Sequence, residues 1–92
     1  MPILSQAEIA SRLATRPDWQ IEGGELVRTF LFKNFVDAVT FVNKVAEQAE
    51  EANHHPDIDI RYNRVRLALV SHDASGLTER DFALAAAVDG LV

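Results

Sequence analysis

At 92 residues the chain has room for one domain spanning 1–92, since domains usually run to about 100–150 residues and one core consumes them. Apolar residues at 48% and charged residues at 25% exclude a disordered chain, and zero cysteines exclude disulfides, thiolate metal sites and cysteine nucleophiles. Nine basic against 14 acidic residues argue against direct nucleic-acid binding; no apolar run nears the roughly 20 residues of a membrane span, and Met1–Ser5 lacks the features of a secretory leader, so a cytoplasmic protein is expected.

Ser5-Gln6-Ala7-Glu8 has the spacing of a helix capping box, with Leu4 and Ile9 at the staple positions and Leu13 continuing the apolar face. Pro17 marks the end of this first helix. Trp19 and Ile21 alternate with Gln20 and Glu22, Gly23-Gly24 supplies a two-residue turn, and Leu26 to Phe32 is a second β-rich run. Asn34 then caps the longest helix, whose apolar stripe is expected through Phe35, Val39, Val42, Ala46 and Ala49, widened by Phe41 and Val45. That helix ends before Pro56, which pushes His55 out of the α region.

Ile58, Ile60 and Tyr62 alternate with Asp57, Asp59 and Arg61; Asn63-Arg64 is expected to turn; Val65, Leu67 and Leu69 alternate with Arg66, Ala68 and Val70. Thr78-Glu79-Arg80-Asp81 opens a third helix, with Leu77 and Phe82 as its staple and Phe82, Ala85, Ala86 and Val88 available for burial. The order αββαββα, with two hairpins each apolar on one face, predicts an α+β, two-layer fold: a four-stranded antiparallel sheet with three helices on one face. An open sheet leaves edges that invite a second copy. Leu26 to Phe32, free of proline and carrying only Arg28 as a charge, is the leading candidate for that interface.

All three histidines fall in two short segments, His54-His55 after the long helix and His72 after the fourth strand. Imidazoles both give and take protons near neutral pH, so the cluster suits acid–base chemistry. The plainer alternative is that His54 and His55 complement a helix dipole and His72 is a solvated loop residue. No HxxxH or HExxH spacing supports a metal site, and no G-x-S-x-G elbow supports a serine triad from Ser71 or Ser75. Arg80 falls in the first turn of the third helix, where the dipole disfavours a cation, so something else is expected to hold it. Glu50, four residues before His54, could orient an imidazole and fix its tautomer. Trp19, Phe30, Phe32 and Tyr62 read as core or cross-strand partners more readily than as a ligand platform, with Trp19 the first candidate for an exception.

Taken together, Glu50-x-x-x-His54-His55-Pro56, then Tyr62, His72 and Asp81, resemble the active-site signature of the pterin-4a-carbinolamine dehydratase family. Ser71-His72-Asp73 followed by Gly76-Leu77-Thr78-Glu79-Arg80-Asp81 resembles the same family, as does Trp19 ahead of the first hairpin. The resemblance implies a cofactor-free, metal-free hydro-lyase that converts 4a-hydroxytetrahydropterin to quinonoid dihydropterin and water, with a functional link to an aromatic amino acid hydroxylase. By carry-over, His54 and His72 transfer protons, His55 assists, and Glu50, Asn53, Ser71, Asp73 and Arg80 bind substrate or frame the site. Asn53 stands where the family often has aspartate, and Ile58 where it often has an aromatic residue. The family also implies a homodimer or homotetramer. Some of its members resemble this chain in fold yet act as interaction proteins, as a dimerisation cofactor for a transcription factor or an assembly factor for a carbon-fixing enzyme.

Overall fold

The computed structural model describes residues 2–92. The elements follow as α1 (Gln6–Leu13), β1 (Gln20–Glu22), β2 (Glu25–Leu31), α2 (Phe35–Ala52), β3 (Asp57–Arg61), β4 (Arg64–Leu69) and α3 (Glu79–Asp89). The sheet is antiparallel throughout, with strand order β1-β2-β4-β3. The fold class and element order are therefore those expected.

Gly23 and Gly24 both take positive φ, 57° and 81°, the two-residue hairpin turn whose twist suits right-handed strands. In the second hairpin the turn sits one residue earlier than expected: Arg61 pairs with Arg64, so Tyr62-Asn63 turns rather than Asn63-Arg64. Asn63 decides this. Its backbone carbonyl accepts from the Phe32 N–H and its side-chain amide donates to the Phe32 carbonyl, both at 2.8 Å. That pair of hydrogen bonds locks the turn against the end of β2 and leaves Tyr62 at φ 54°, a left-handed value unusual for an aromatic residue.

The core lies between one sheet face and the helices. Leu26 and Phe30 of β2 share that face with Val65, Leu67 and Leu69 of β4, and Phe41 and Val45 of α2 pack on them beside Phe82, Ala85 and Val88 of α3. The buried line of α2 runs through Ala38, Phe41, Val45 and Ala49; Phe35, expected in the stripe, is exposed, and Ala46 is too. Helix α1 buries no residue fully and only leans Ile9 and Leu13 on the core. In β3 the alternation is present but the burial is not, because this edge strand is exposed throughout.

Trp19 is buried, not a platform. Its ring meets Phe30 edge-on with centroids 6.1 Å apart, and its Nε1 donates to Asp89 at 2.9 Å. Asp89, at the C-terminal end of α3 where the helix dipole disfavours a carboxylate, also accepts from Arg28 at 2.6 Å and Arg16 at 3.2 Å. Arg28 reaches it from the core face of β2, its guanidinium 4.2 Å above the Phe30 ring.

The strand named as the interface candidate is interior in the order. β2 lies between β1 and β4, and pairing requires this because two hairpins joined through β2 and β4 put their other strands outside. However, β1 covers only Glu25–Val27 of β2, so the flank of Arg28–Leu31 away from β4 has no paired strand among the described residues.

Candidate active site

The long helix ends three residues short of the proline. Asn53 takes a left-handed conformation (φ 50°), and the His54 N–H returns to the Ala49 carbonyl at 3.0 Å. Asparagine tolerates this conformation better than other non-glycine residues, and the resulting turn folds His54 back beneath the helix end. His54 is consequently only 8% exposed, whereas His55 points to solvent.

Asp81 receives His54. It is fully buried, and its Oδ1 lies 2.6 Å from His54 Nε2. Its Oδ2 accepts from the Ser71 hydroxyl and from the Thr78 backbone N–H, each at 2.9 Å. Because Ser71 spends its one proton on Asp81, the 2.8 Å contact between the Ser71 and Thr78 hydroxyls is made by the Thr78 proton. With Asp81 as the acceptor of the His54 contact, the ring proton lies on Nε2. Nδ1 is the nitrogen left to exchange one.

Asp81 belongs to the sequence signature, but no local feature of the sequence points it at a histidine. Its spacing from Thr78 marked only the start of a helix, although an acid three residues after an N-cap carries a carboxylate back toward the loop before the helix. Ser71, expected to line the site, lies under it with both hydroxyl contacts made inside the protein.

Glu50 hydrogen-bonds His55, not His54, and both are exposed. One turn of α2 separates Glu50 from the chain reversal at Asn53, and the reversal carries His55 to it while turning His54 inward. The Asn53 side chain is exposed and makes no hydrogen bond among the described residues. Asp73 and Arg80 meet each other at 2.6 Å. The Arg80 guanidinium holds the Asp73 carboxyl below its ordinary value of 3.8, and Asp73 raises Arg80 in turn.

His72 is exposed at the start of a short loop closed by the Ser71–Gly76 bridge. Both its neighbours are tied to the residues around His54: Ser71 through Asp81, and Asp73 through Arg80. A cleft of about 400 Å³ between α2 and α3 is lined by His54, Arg80, Gln48, Glu51, Ala83 and Ala87. A larger apolar groove of about 520 Å³ beside α1 is lined by Ile3, Ile9, Leu13, Ile21 and Leu77 among others, none of them titratable, so it offers no proton chemistry. Among the described residues no three His, Asp or Glu side chains gather closely enough to hold a metal ion.

A sequence model of the family described as pterin 4 alpha carbinolamine dehydratase matches residues 2–91. The chain belongs to that family. A relative from Chloroflexus aurantiacus, provisionally named a pterin-4-alpha-carbinolamine dehydratase, is 66% identical over 92 residues, covering 100% of this chain and 99% of its own. One from Acidobacterium capsulatum with the same provisional name is 59% identical over 100% of both chains. The crystal structure of a transcriptional coactivator/pterin dehydratase from Brucella melitensis superposes with a TM-score of 0.92 at 33% identity, covering 97% of each chain. A pterin dehydratase-like protein identified as a RuBisCO assembly factor in the alpha-carboxysome superposes at 0.66 with 28% identity, over 79% of this chain and 84% of its own. As a family member the chain shares the dehydratase fold, and among the described residues no helix is long and apolar enough to cross a membrane.

Proposed function

We propose that this family member is a hydro-lyase acting on 4a-hydroxytetrahydropterin by histidine acid–base catalysis, without metal or cofactor. The observation that supports it best is the buried His54–Asp81 pair at the wall of the α2/α3 cleft, where a locked tautomer leaves one imidazole nitrogen free.

Dehydration breaks the C4a–O bond while the N5 electron pair forms the C4a=N5 double bond. The departing hydroxyl takes up one proton and leaves as water, and N5 gives up one. Two histidines can divide these transfers with no net change in protonation. His54 is the base for N5–H, because Asp81 stabilises the imidazolium that forms. His72, exposed to solvent, is the acid for the hydroxyl. His55, oriented by Glu50, assists. Glu50 and Asn53 contribute polar contacts to the pterin, Asp73 and Arg80 complete the wall, and the buried Ser71 supports Asp81 from beneath. The 4a-carbinolamine is what a pterin-dependent aromatic hydroxylase leaves behind, so such an enzyme is the implied source. A cytoplasmic setting accords with a chain that has no cysteine to oxidise.

The test is the decay of the carbinolamine, which also proceeds unaided. The protein should accelerate it, and His54→Ala or His72→Ala should cut the acceleration at least about tenfold, below the typical 10²–10⁴ contribution of a general acid or base. Variants that both match the parent would remove the proton-transfer assignment.

The same reading includes self-association. The free flank of β2 at Arg28–Leu31 adjoins, along the chain, exposed Leu31, Phe35 and Val36, and two such flanks can pair about a two-fold axis. Light scattering over a dilution series should give at least twice the 10.2 kDa monomer mass at micromolar concentration. A monomer mass at high micromolar concentration would sink the dimer. The alternative function, a non-catalytic interaction protein, uses the same apolar residues and predicts no acceleration of the decay.

A further inference from the structure

We infer that Arg80 is a positioning residue: by clasping Asp73 it holds the tip of the Ser71–Gly76 loop and so fixes where His72 presents its imidazole. The inference deepens the dehydratase reading, on which it rests, and gives Arg80 a part other than contact with the substrate.

The His72 side chain makes no hydrogen bond among the described residues, so its place is set by the backbone that carries it. That backbone is a tight loop in which the Ala74 N–H bonds the Ser71 carbonyl at 3.0 Å, the Ser75 N–H bonds the His72 carbonyl at 3.2 Å, and Ser75 takes a left-handed φ of 60°. A non-glycine residue in that region persists only where the surrounding structure holds it. The base is tied: Ser71 is buried and bonded to Asp81. The tip is exposed, and its one side-chain tie among the described residues is the hydrogen bond that Arg80 donates to Asp73 at 2.6 Å.

Arg80 accepts two disadvantages to make that contact. It sits in the first turn of α3, where the helix dipole opposes a cation. Its Nε is buried with no acceptor among the described residues, so the side chain reaches Asp73 at the expense of one donor. The adjacent residues Arg80 and Asp81 therefore form a bracket on the loop that precedes their own helix, one gripping the tip and the other the base. Asp81 is shared with His54, so the bracket sets the spacing of the two proton-transfer groups.

Arg80→Gln, Asp73→Asn, the double variant and the charge swap Asp73→Arg/Arg80→Asp separate this from direct substrate contact. A positioning role predicts that each single variant lowers kcat by about three- to tenfold with KM within about twofold, a size suited to an exposed ion pair acting through geometry. The double variant should be no worse than either single one, and the swap, which places a carboxylate at the helix start, should recover most of kcat. If Arg80 instead meets the pterin, Arg80→Gln raises KM, Asp73→Asn is silent and the swap fails, which overturns the proposal. A readout without substrate keeps the test apart from the dehydratase reading. In Arg80→Gln the Ala74 and Ser75 amides should exchange faster and the His72 ring resonances should shift, whether or not the parent accelerates carbinolamine decay. Unchanged amides and ring resonances would also overturn it.

Discussion

Two helices of this chain begin with the same device and use it differently. At α1, Ser5 accepts from the Glu8 N–H at 3.1 Å and Glu8 accepts from the Ser5 N–H at 2.8 Å, all of it in solvent. At α3, Thr78 and Asp81 form the corresponding box, but the acid is buried and has two further donors, His54 and Ser71. The first box satisfies helix N–H groups and nothing else. In the second, the carboxylate's spare lone pairs are turned inward to an imidazole, so a capping residue becomes the floor of a candidate proton-transfer site. The shorter aspartate suits this, because it keeps its carboxylate close to the backbone while His54 comes to it. The two starts are also joined directly, since the Leu4 N–H bonds the Leu77 carbonyl at 2.9 Å.

Asp89, two turns beyond Asp81 on α3, sharpens the contrast. It too accepts from three groups, but all three are side chains, two guanidinium groups and an indole. None of these exchanges a proton near neutral pH, so that cluster is scaffold. It ties the segment before β1, strand β2 and the end of α3 together.

The largest effect should come from breaking the buried box. Asp81→Asn keeps the shape but can offer His54 an N–H, which favours the wrong tautomer. The acceleration of carbinolamine decay should fall about 10²–10⁴-fold, the range expected when a positioned acid or base is mis-set. The matching Glu8→Gln should leave kcat within about twofold, no more than an exposed cap loses on a surface change, and lower Tm by only a few degrees. Equal effects of the two substitutions on kcat would erase the distinction between the boxes.

The smallest effect is in pH dependence. The Ser5 backbone N–H, then its hydroxyl, hold the Glu8 carboxyl below its ordinary value of 4.5. A carboxyl lowered on folding contributes stability that is fully present above the unfolded value and is lost as pH falls through the folded one. The Tm difference between the parent and Glu8→Gln should therefore stay constant from neutral pH down to about 5 and shrink only below about 4.5. A difference that grows on acidification would reverse the sign and remove the cap assignment.

Local chemistry determined much of this protein from its sequence. The two capping boxes, the Gly23-Gly24 turn, the period of the strands and the spacing of Glu50, His54, His55, His72 and Asp81 are all short-range features, and they gave the element order, the family resemblance and the candidate residues. What needed the tertiary structure was every choice between two locally equivalent partners. The sequence offered Glu50 to His54 across one helical turn, yet the left-handed Asn53 delivered His55 to Glu50 and His54 to an acid 27 residues away. Periodicity marked a wide stripe on α2, and only packing selected the line through Ala38, Phe41, Val45 and Ala49. The β2 run reads as unprotected wherever it lies at an edge, but strand order is a long-range choice, and it placed β4 on one side and a three-residue β1 on part of the other. Trp19, a large apolar surface with one polar atom, could serve a ligand or a core; the fold supplied Phe30 and Asp89, and burial followed. Side-chain type and spacing limit the possible partners, but which of them meet depends on contacts far apart in the chain.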